Sequence, residues 1–424
     1  LDVVLVAGTP GDVHGLVRPV AERISAVMSA ADTWVFISPS SHASGREVRV
    51  ASSYPGVRRA VGPLEFLRYL LVGIAPRGFA RSGKGVIVHL GGDLIYSVDL
   101  GRRLRYPVFA YASRAMPGAK SVSLFLVEDE RVQASLIARG AAAERVRPVG
   151  NLMVDGVGVR MGREDARSRL GIGEHERVIA LFPGARPREV SVMAPLLFRA
   201  AELLSRVEPN VSFMLCLSPF VGTASLEQLF SSTRYASRID GSAARVEKSA
   251  GPLEAVTREG VRIRIETVFR YETMAVSDIA VCTPGPVCTE LAYLGVPHIV
   301  AAPLNVPSAV PIAGVSGLLC SLPFIGETFQ RRAVERLKVT SRFVSITNQR
   351  AGRMIVPEIV GHVRPEDVVI PCVELLGDAA RRDRMSRELR EAAGLAGAAD
   401  RVVHAVQAVQ RFAVGQPDSS SARA

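Results

Sequence analysis

At 424 residues the chain exceeds one ordinary hydrophobic core and predicts two domains. Hydrophobic residues make up 48%, which excludes a disordered polyelectrolyte, and the net charge of +11, carried mostly by Arg, points to an anionic membrane face or a phosphate-rich substrate. Aromatic content of 6% without Arg–aromatic interleaving argues against a nucleic-acid partner.

Five cysteines, Cys216, Cys282, Cys288, Cys320 and Cys372, occur without a C-x-x-C pair, so neither a zinc site nor a disulfide framework is expected. They read as small buried hydrophobes in a reducing, cytoplasmic compartment. The chain opens in a strand with no basic n-region or cleavage site, so no signal peptide is expected; the missing initiator Met suggests that a few residues precede it. Ile299 to Ile325 is uncharged and long enough to test as a membrane span, but Pro303, Pro307, Pro311 and Pro323 break it, predicting a strand and an apolar loop.

In chain order, strand Val3 to Ala7 runs into the glycine-rich turn Gly8 to Gly15 and a helix to about Ala30. The turn is not G-x-G-x-x-G, which argues against a dinucleotide cofactor, and Asp12 and His14 either face a ligand or cap the helix. Strand Thr33 to Ser38 precedes a polar loop whose end, REVRV, reads as a short strand. Leu64, Leu67, Leu70, Leu71 and Ile74 then fall at helical spacing with Arg68, Arg77, Arg81 and Lys84 around them: either a helix packed on a sheet or one lying in a membrane interface.

Strand Val86 to Leu90 ends at two glycines followed by Asp93. A carboxylate or imidazole there, Asp93 or His89, could act as general base; the alternatives are a helix cap and a satisfied strand residue. Strands Val108 to Tyr111 and Leu124 to Val127 and helix Arg131 to Ala138 continue the alternation, Val146 to Val157 closes this half, and Glu164 to Leu170 reads as a charged linker helix.

The second half repeats the pattern from strand Val178 to Phe182. In its first turn, FPGARPREV, Gly184 permits close approach and Arg186 offers a fork of donors suited to a phosphate. Ser231 to Ser249 reads as a polar, basic loop or a poor helix. Ile279 to Cys282 is a strand, Thr283 to Pro286 a tight turn, Val287 to Leu294 a helix and His298 to Ala302 the next strand. That turn leaves helix N–H groups open to an anion, and Glu290 one turn on could take a sugar hydroxyl; the plainer reading is a tight connection with a surface Glu. Helix Gln330 to Leu337, strand Arg342 to Ile346 with Asn348 at its end, and helices Cys372 to Leu376, Asp378 to Ala392 and Ala398 to Val414 follow. Repeated βα units in both halves predict an α/β fold of two doubly wound, Rossmann-like domains facing across a cleft. The expected divisions are 1–160, a linker 161–175, 176–376, C-terminal helices 377–414 and a disordered tail 415–424.

Taken together, VAGTPGDVHG, LFPGARPREV, SDIAVCTPGPVCTELAYLGVPHIV and RFVSITNQRAGRMIVPEIV resemble, in order, four motifs of the lipid-A-disaccharide synthases, inverting glycosyltransferases of GT-B fold. The resemblance runs from residue 2 to about residue 410. It implies a UDP-sugar donor held in the second domain, with Gly184, Arg186, Thr283 and Gly285 at the diphosphate, Glu290 at the ribose and Asn348 at phosphate or sugar. It also implies an acceptor side including Gly11, His14 and Tyr111, a lipid-linked or glycan acceptor, peripheral membrane contact through Leu64 to Ile74, C-terminal helices that cross back to the first domain or to a partner subunit, and a homodimer. The base would be Asp93, or else His89, Asp12 or His14, taking the proton of an acceptor hydroxyl that attacks the anomeric carbon without an obligatory metal. The family's first catalytic-motif Asp is Leu90 here, its opening Glu is Thr9, and ASRAMPG replaces the segment after Tyr111. Two other readings fit the same fold: a UDP-sugar 2-epimerase, and an inactive nucleotide-sugar-binding protein.

Overall fold

The computed structural model describes residues 1–112, 119–231, 235–248, 252–268, 270–304 and 342–415. The expected apolar loop Val306 to Ile325, helix Gln330 to Leu337, most of ASRAMPG and nearly all of the tail lie outside these residues. The chain divides into two compact units: Leu1–Gly156 with Gly394–Ala424, and Val157–Ala393.

In unit 1, strands β1 (Asp2–Ala7), β2 (Asp32–Ile37), β3 (Val57–Val61), β4 (Gly85–His89), β5 (Val108–Tyr111), β6 (Leu124–Val127) and β7 (Val146–Pro148) form a parallel sheet in the order β3-β2-β1-β4-β5-β6-β7. Strands such as DVVLVA are buried at every position, as sheets covered on both faces require. Trp34, Phe36, Phe66 and Phe79 pack edge to face on one side of the sheet, with centroids 5.0–5.6 Å apart. The helix Ala398–Gly415 packs on the helix Arg18–Val27 and completes this unit from the far end of the chain. Its start is fastened by Asp155, whose carboxylate accepts the N–H of Gly397 at 2.6 Å and of Ala399 at 2.5 Å.

In unit 2 the described sheet runs β10-β11-β12-β9-β8-β13-β14-β15, from β8 (Arg177–Phe182), β9 (Val211–Cys216), β10 (Ala244–Lys248), β11 (Leu253–Thr257), β12 (Arg262–Glu266), β13 (Ile279–Cys282), β14 (His298–Pro303) and β15 (Glu358–Gly361). From β12 to β15 the pairing is parallel; β10 and β11 add an antiparallel edge. Both sheets thus have the doubly wound strand order predicted from the repeated βα pattern.

Several local expectations are corrected. REVRV does not end in a strand: Glu47–Ala51 is a short helix, with the Glu47 carboxylate accepting the N–H of Ser44 at 2.5 Å and of Gly45 at 3.0 Å. The polar stretch before Ser249 contains β10, whose charges are matched across strands, Arg262 joining Glu247 and Glu254 at 2.8 Å each. Arg342 to Ile346 is not a strand, because the Glu358 carboxylate accepts the N–H of Val344 and Ser345, and Ser345 caps the helix Ile346–Ala351; β15, beginning at Glu358, pairs with β14 instead. The helix Arg163–Arg169 lies in the stretch expected as a linker, and its Ala166, with Leu170 just beyond, joins Val178, Met214 and Val276 in one core cluster.

Candidate functional site

The order of the second sheet changes direction between β8 and β13, since β9 and β12 lie on one side and β14 and β15 on the other. Phe182 and Cys282, the last residues of those strands, are directly paired, so the loops that follow leave the sheet side by side. Crevices outside the carboxyl ends of strands at such a point are where open α/β sheets bind ligands.

In the first loop Gly184 has φ of +111°, and a Cβ there would lie 2.6 Å from that of Glu189. Glycine lets the Glu189 carboxylate fold back onto the loop, where it accepts the N–H of Ala185 at 2.8 Å and of Arg186 at 3.2 Å. The same carboxylate pairs with Arg186 Nη1 at 2.5 Å. Arg186 is thereby oriented at the start of the helix Pro187–Val207.

In the second loop Gly285 is the N-cap of the helix Pro286–Leu294, and a Cβ added to it would meet no described residue within 4 Å. Among the described residues, then, nothing crowds the turn at the positive end of the helix, and Thr283 is half-buried beside it. Pro286, at the first helical position, supplies no N–H but fixes φ for the helix.

Glu290 is not a surface residue: its side chain is 2% exposed and pairs with Arg270 Nη2 at 2.5 Å. The Tyr271 hydroxyl donates to it at 3.1 Å, and the Arg270 guanidinium lies 5.8 Å from the Phe182 ring centroid. The sequence reading missed Arg270; its signal would have been an Arg opening a short helix in which Tyr271, Glu272, Thr273 and Met274 are all buried. Asn348 is also buried, and its amide is occupied by the chain itself. It donates to Val356 O at 2.9 Å and to Glu358 Oε1 at 2.7 Å, and accepts from the N–H of Ile355 at 2.8 Å and of Val356 at 3.1 Å.

Behind the second loop lie Cys282, Cys288 and His298, whose spacing gave no hint of a cluster. One potential ligand atom of each lies within 4.8 Å of the other two. Burial pushes the Cys282 thiol well up, whereas its hydrogen bond and nearby His298 lower the Cys288 thiol.

In unit 1 the switch point falls between β1 and β4. Asp12 folds back to accept the Thr9 N–H at 2.9 Å while Thr9 Oγ1 accepts the Asp12 N–H at 3.2 Å, a capping box next to Gly11. A π-helix, Val13–Val17, carries His14. Across the switch point Gly91 faces Asp12 so closely that a Cβ would lie 2.2 Å from its carboxyl carbon. Asp93 is exposed and caps the helix Leu94–Leu104, accepting the Ile95 N–H at 3.2 Å. His89 is 1% exposed, with Nδ1 2.9 Å from Ser97 Oγ, and burial lowers its pKa to about 4 against a weaker opposing pull from Asp93. Leu90 is a core residue. The Tyr111 hydroxyl donates to Gly150 O at 3.1 Å and accepts the Leu152 N–H at 3.3 Å, fastening the exit of the unit. The sequence candidates thus fall in two groups, Gly184, Arg186, Thr283 and Gly285 at one switch point and Gly11, Asp12, His14 and Asp93 around the other, with His89, Glu290, Asn348 and Tyr111 held by internal partners.

A family model described as lipid-A-disaccharide synthetase matches residues 142–248. The chain is 26% identical over 429 residues to the lipid-A-disaccharide synthase of Geobacter sulfurreducens, covering 94% of this chain and 95% of that protein. It is 28% identical over 258 residues to that of Syntrophus aciditrophicus, covering 60% of this chain and spanning about half (55%) of the relative. Among solved structures it is similar to the UDP-GlcNAc 2-epimerase of Neisseria meningitidis bound to UDP-GlcNAc, with TM-score 0.53, 11% identity and coverage of 96% and 100%. The S. aureus MnaA–UDP co-structure also has TM-score 0.53, at 12% identity and 98% coverage of both chains. Two doubly wound units and these likenesses show a GT-B-like α/β fold.

Proposed function

We propose that this chain is a UDP-sugar-processing enzyme whose unit 2 holds the nucleotide diphosphate. The observation that carries this is the pair of loops at the β8/β13 switch point: an oriented Arg186 beside a helix N-terminus whose capping Gly285 is crowded by no described residue. Arg186 supplies fixed donors and the helix supplies positive potential, which together suit a diphosphate both in the bound sugar nucleotide and as a leaving group.

Of the two reactions, epimerisation of the sugar at C2 is the better supported. The solved relatives named above include a 2-epimerase holding UDP-GlcNAc, and here the family's first catalytic-motif Asp is the buried Leu90. Such a reaction passes the C2 proton to a base as the C1–O bond to UDP breaks and a C1=C2 double bond forms, then returns a proton to the opposite face of C2 as the UDP oxygen bonds again to C1, with no acceptor consumed. Glycosyl transfer is the second reading, supported by the names of the sequence relatives. There an acceptor oxygen, losing its proton to a base such as Asp93, bonds to the anomeric carbon as the bond to UDP breaks. A lipid-linked acceptor would suit the helix Pro63–Val72, which leaves Leu64 80% and Leu71 79% exposed.

The experiment is calorimetric titration with UDP and UDP-GlcNAc, followed by NMR of UDP-GlcNAc incubated in deuterated water without an acceptor. Uridine-selective binding that weakens at least about tenfold in Arg186→Ala supports the donor site. Deuterium at C2 supports epimerisation, whereas UDP release only after a lipid-linked sugar is added supports transfer. Absence of nucleotide binding refutes both.

A further inference from the structure

Cys282, Cys288 and His298 are fully buried at 0% exposure, and backbone geometry explains how they meet. His298 of β14 lies opposite Ala280 of β13, and Cys282 is two residues further along, so both side chains project from the same face of the parallel pair. Cys288 comes back onto that face from the first turn of the helix Pro286–Leu294, bringing its sulfur to 3.8 Å from that of Cys282.

The tautomer of His298 follows from its partner. Nδ1 lies 2.9 Å from the Val296 carbonyl oxygen, which can only accept, so Nδ1 carries the proton and Nε2 keeps its lone pair. That Nε2 is buried and makes no well-formed hydrogen bond among the described residues, with the Cys288 thiol close to the ring. An imidazole held through Nδ1–H by a backbone carbonyl, with Nε2 unprotonated, has the orientation of a metal-ligating histidine. Two sulfurs bound at about 2.3 Å to a tetrahedral ion sit about 3.8 Å apart, matching the separation here. The Thr283 carbonyl, 3.7 Å from Cys288 Sγ, puts an oxygen beside the same cluster.

We propose that Cys282, Cys288 and His298 bind a soft divalent ion of the zinc class, a site distinct from the UDP-sugar reading and independent of it. Binding releases both thiol protons to solvent, and the two thiolates neutralise the dication, so the loaded cluster is uncharged and compatible with full burial. Because β13, the Thr283–Pro286 turn and β14 all contribute, the ion fixes the base of the second loop.

The test is Co2+ titration of the reduced, chelator-stripped full chain. One cobalt per chain is expected, with thiolate-to-cobalt charge-transfer absorption, tetrahedral visible bands, and displacement by Zn2+. Cys282→Ser and Cys288→Ser should each weaken cobalt binding by more than about tenfold, while Cys372→Ser, altering a cysteine outside the cluster, leaves it unchanged. If the serine variants do not fold, the wild-type spectrum decides. A reduced wild type without the charge-transfer band overturns the proposal, as does the same band in the folded double variant. Conversion of the pair to a disulfide with no cobalt uptake also overturns it.

Discussion

Arg270 and Glu290 form an ion pair at 2.5 Å directly behind the Gly285 turn, with side-chain exposures of 16% and 2%. Removing one member of a buried pair leaves the other uncompensated, at a cost of about 3–5 kcal/mol. Glu290→Ala should therefore lower the urea midpoint strongly, and Glu290→Gln, which keeps an acceptor for Tyr271, less so. Equal, small effects would show that the pair contributes nothing to stability.

Of the described glycines in unit 1, Gly91 leaves the least room for a Cβ, against Asp12. Gly91→Ala forces its new methyl into the Asp12 carboxyl group and should destabilise by about 1–3 kcal/mol. Asp12→Gly removes that obstacle, including the Asp12 Cβ at 2.6 Å, along with the hydrogen bond to Thr9. The double variant is expected to be more stable than the sum of the singles predicts; strict additivity in denaturant unfolding would rule out the contact.

His89 makes stability depend on acid pH. Its folded pKa is about 4 against an ordinary 6.5, so between those values the unfolded chain binds the proton that the folded chain refuses. Stability from this group is intact above pH 6.5 and lost as pH falls towards 4, by roughly 3 kcal/mol in full. His89→Gln should flatten that acid-side slope; an unchanged slope from pH 7 to about 4.5 would assign it to other groups.

The helix Pro63–Val72 buries Phe66 and Tyr69 but exposes Leu64, Leu71 and Val72, with Ile74 just beyond. Arg68, Arg77, Arg81 and Lys84 are exposed in or just after it. Among the described residues no helix is long and apolar enough to cross a membrane. Cosedimentation with anionic vesicles is expected, reduced several-fold by Leu64→Ser/Leu71→Ser and by about 0.3 M salt. Retention by neutral vesicles that is insensitive to salt would contradict the electrostatic part.

The alternation of elements was legible because parallel strands buried on both faces appear as uninterrupted apolar runs: IAVC, then TPGP, then a helix can be read without coordinates. Positions of the switch-point loops followed from that order. What could not be read were effects of one charged side chain on distant backbone. Glu358 holds Val344 and Ser345, and Arg262 steadies a β10 edge that composition alone marks as loop. Arg270 and Glu290 are twenty residues apart, and Cys282 meets His298 only through strand register. Asn348 has the residue type of a ligand-binding amide, but its hydrogen bonds within the turn are invisible in sequence.

The return of residues 394–415 to unit 1 has a consequence for biosynthesis. The first sheet leaves the ribosome long before the helix that covers Arg18–Val27, because all of Val157–Ala393 is made in between. At ordinary translation rates that interval is roughly 10–50 s, during which an apolar helix face stands bare. A nascent chain interrupted after Ala393 would thus compromise the unit that was synthesised first.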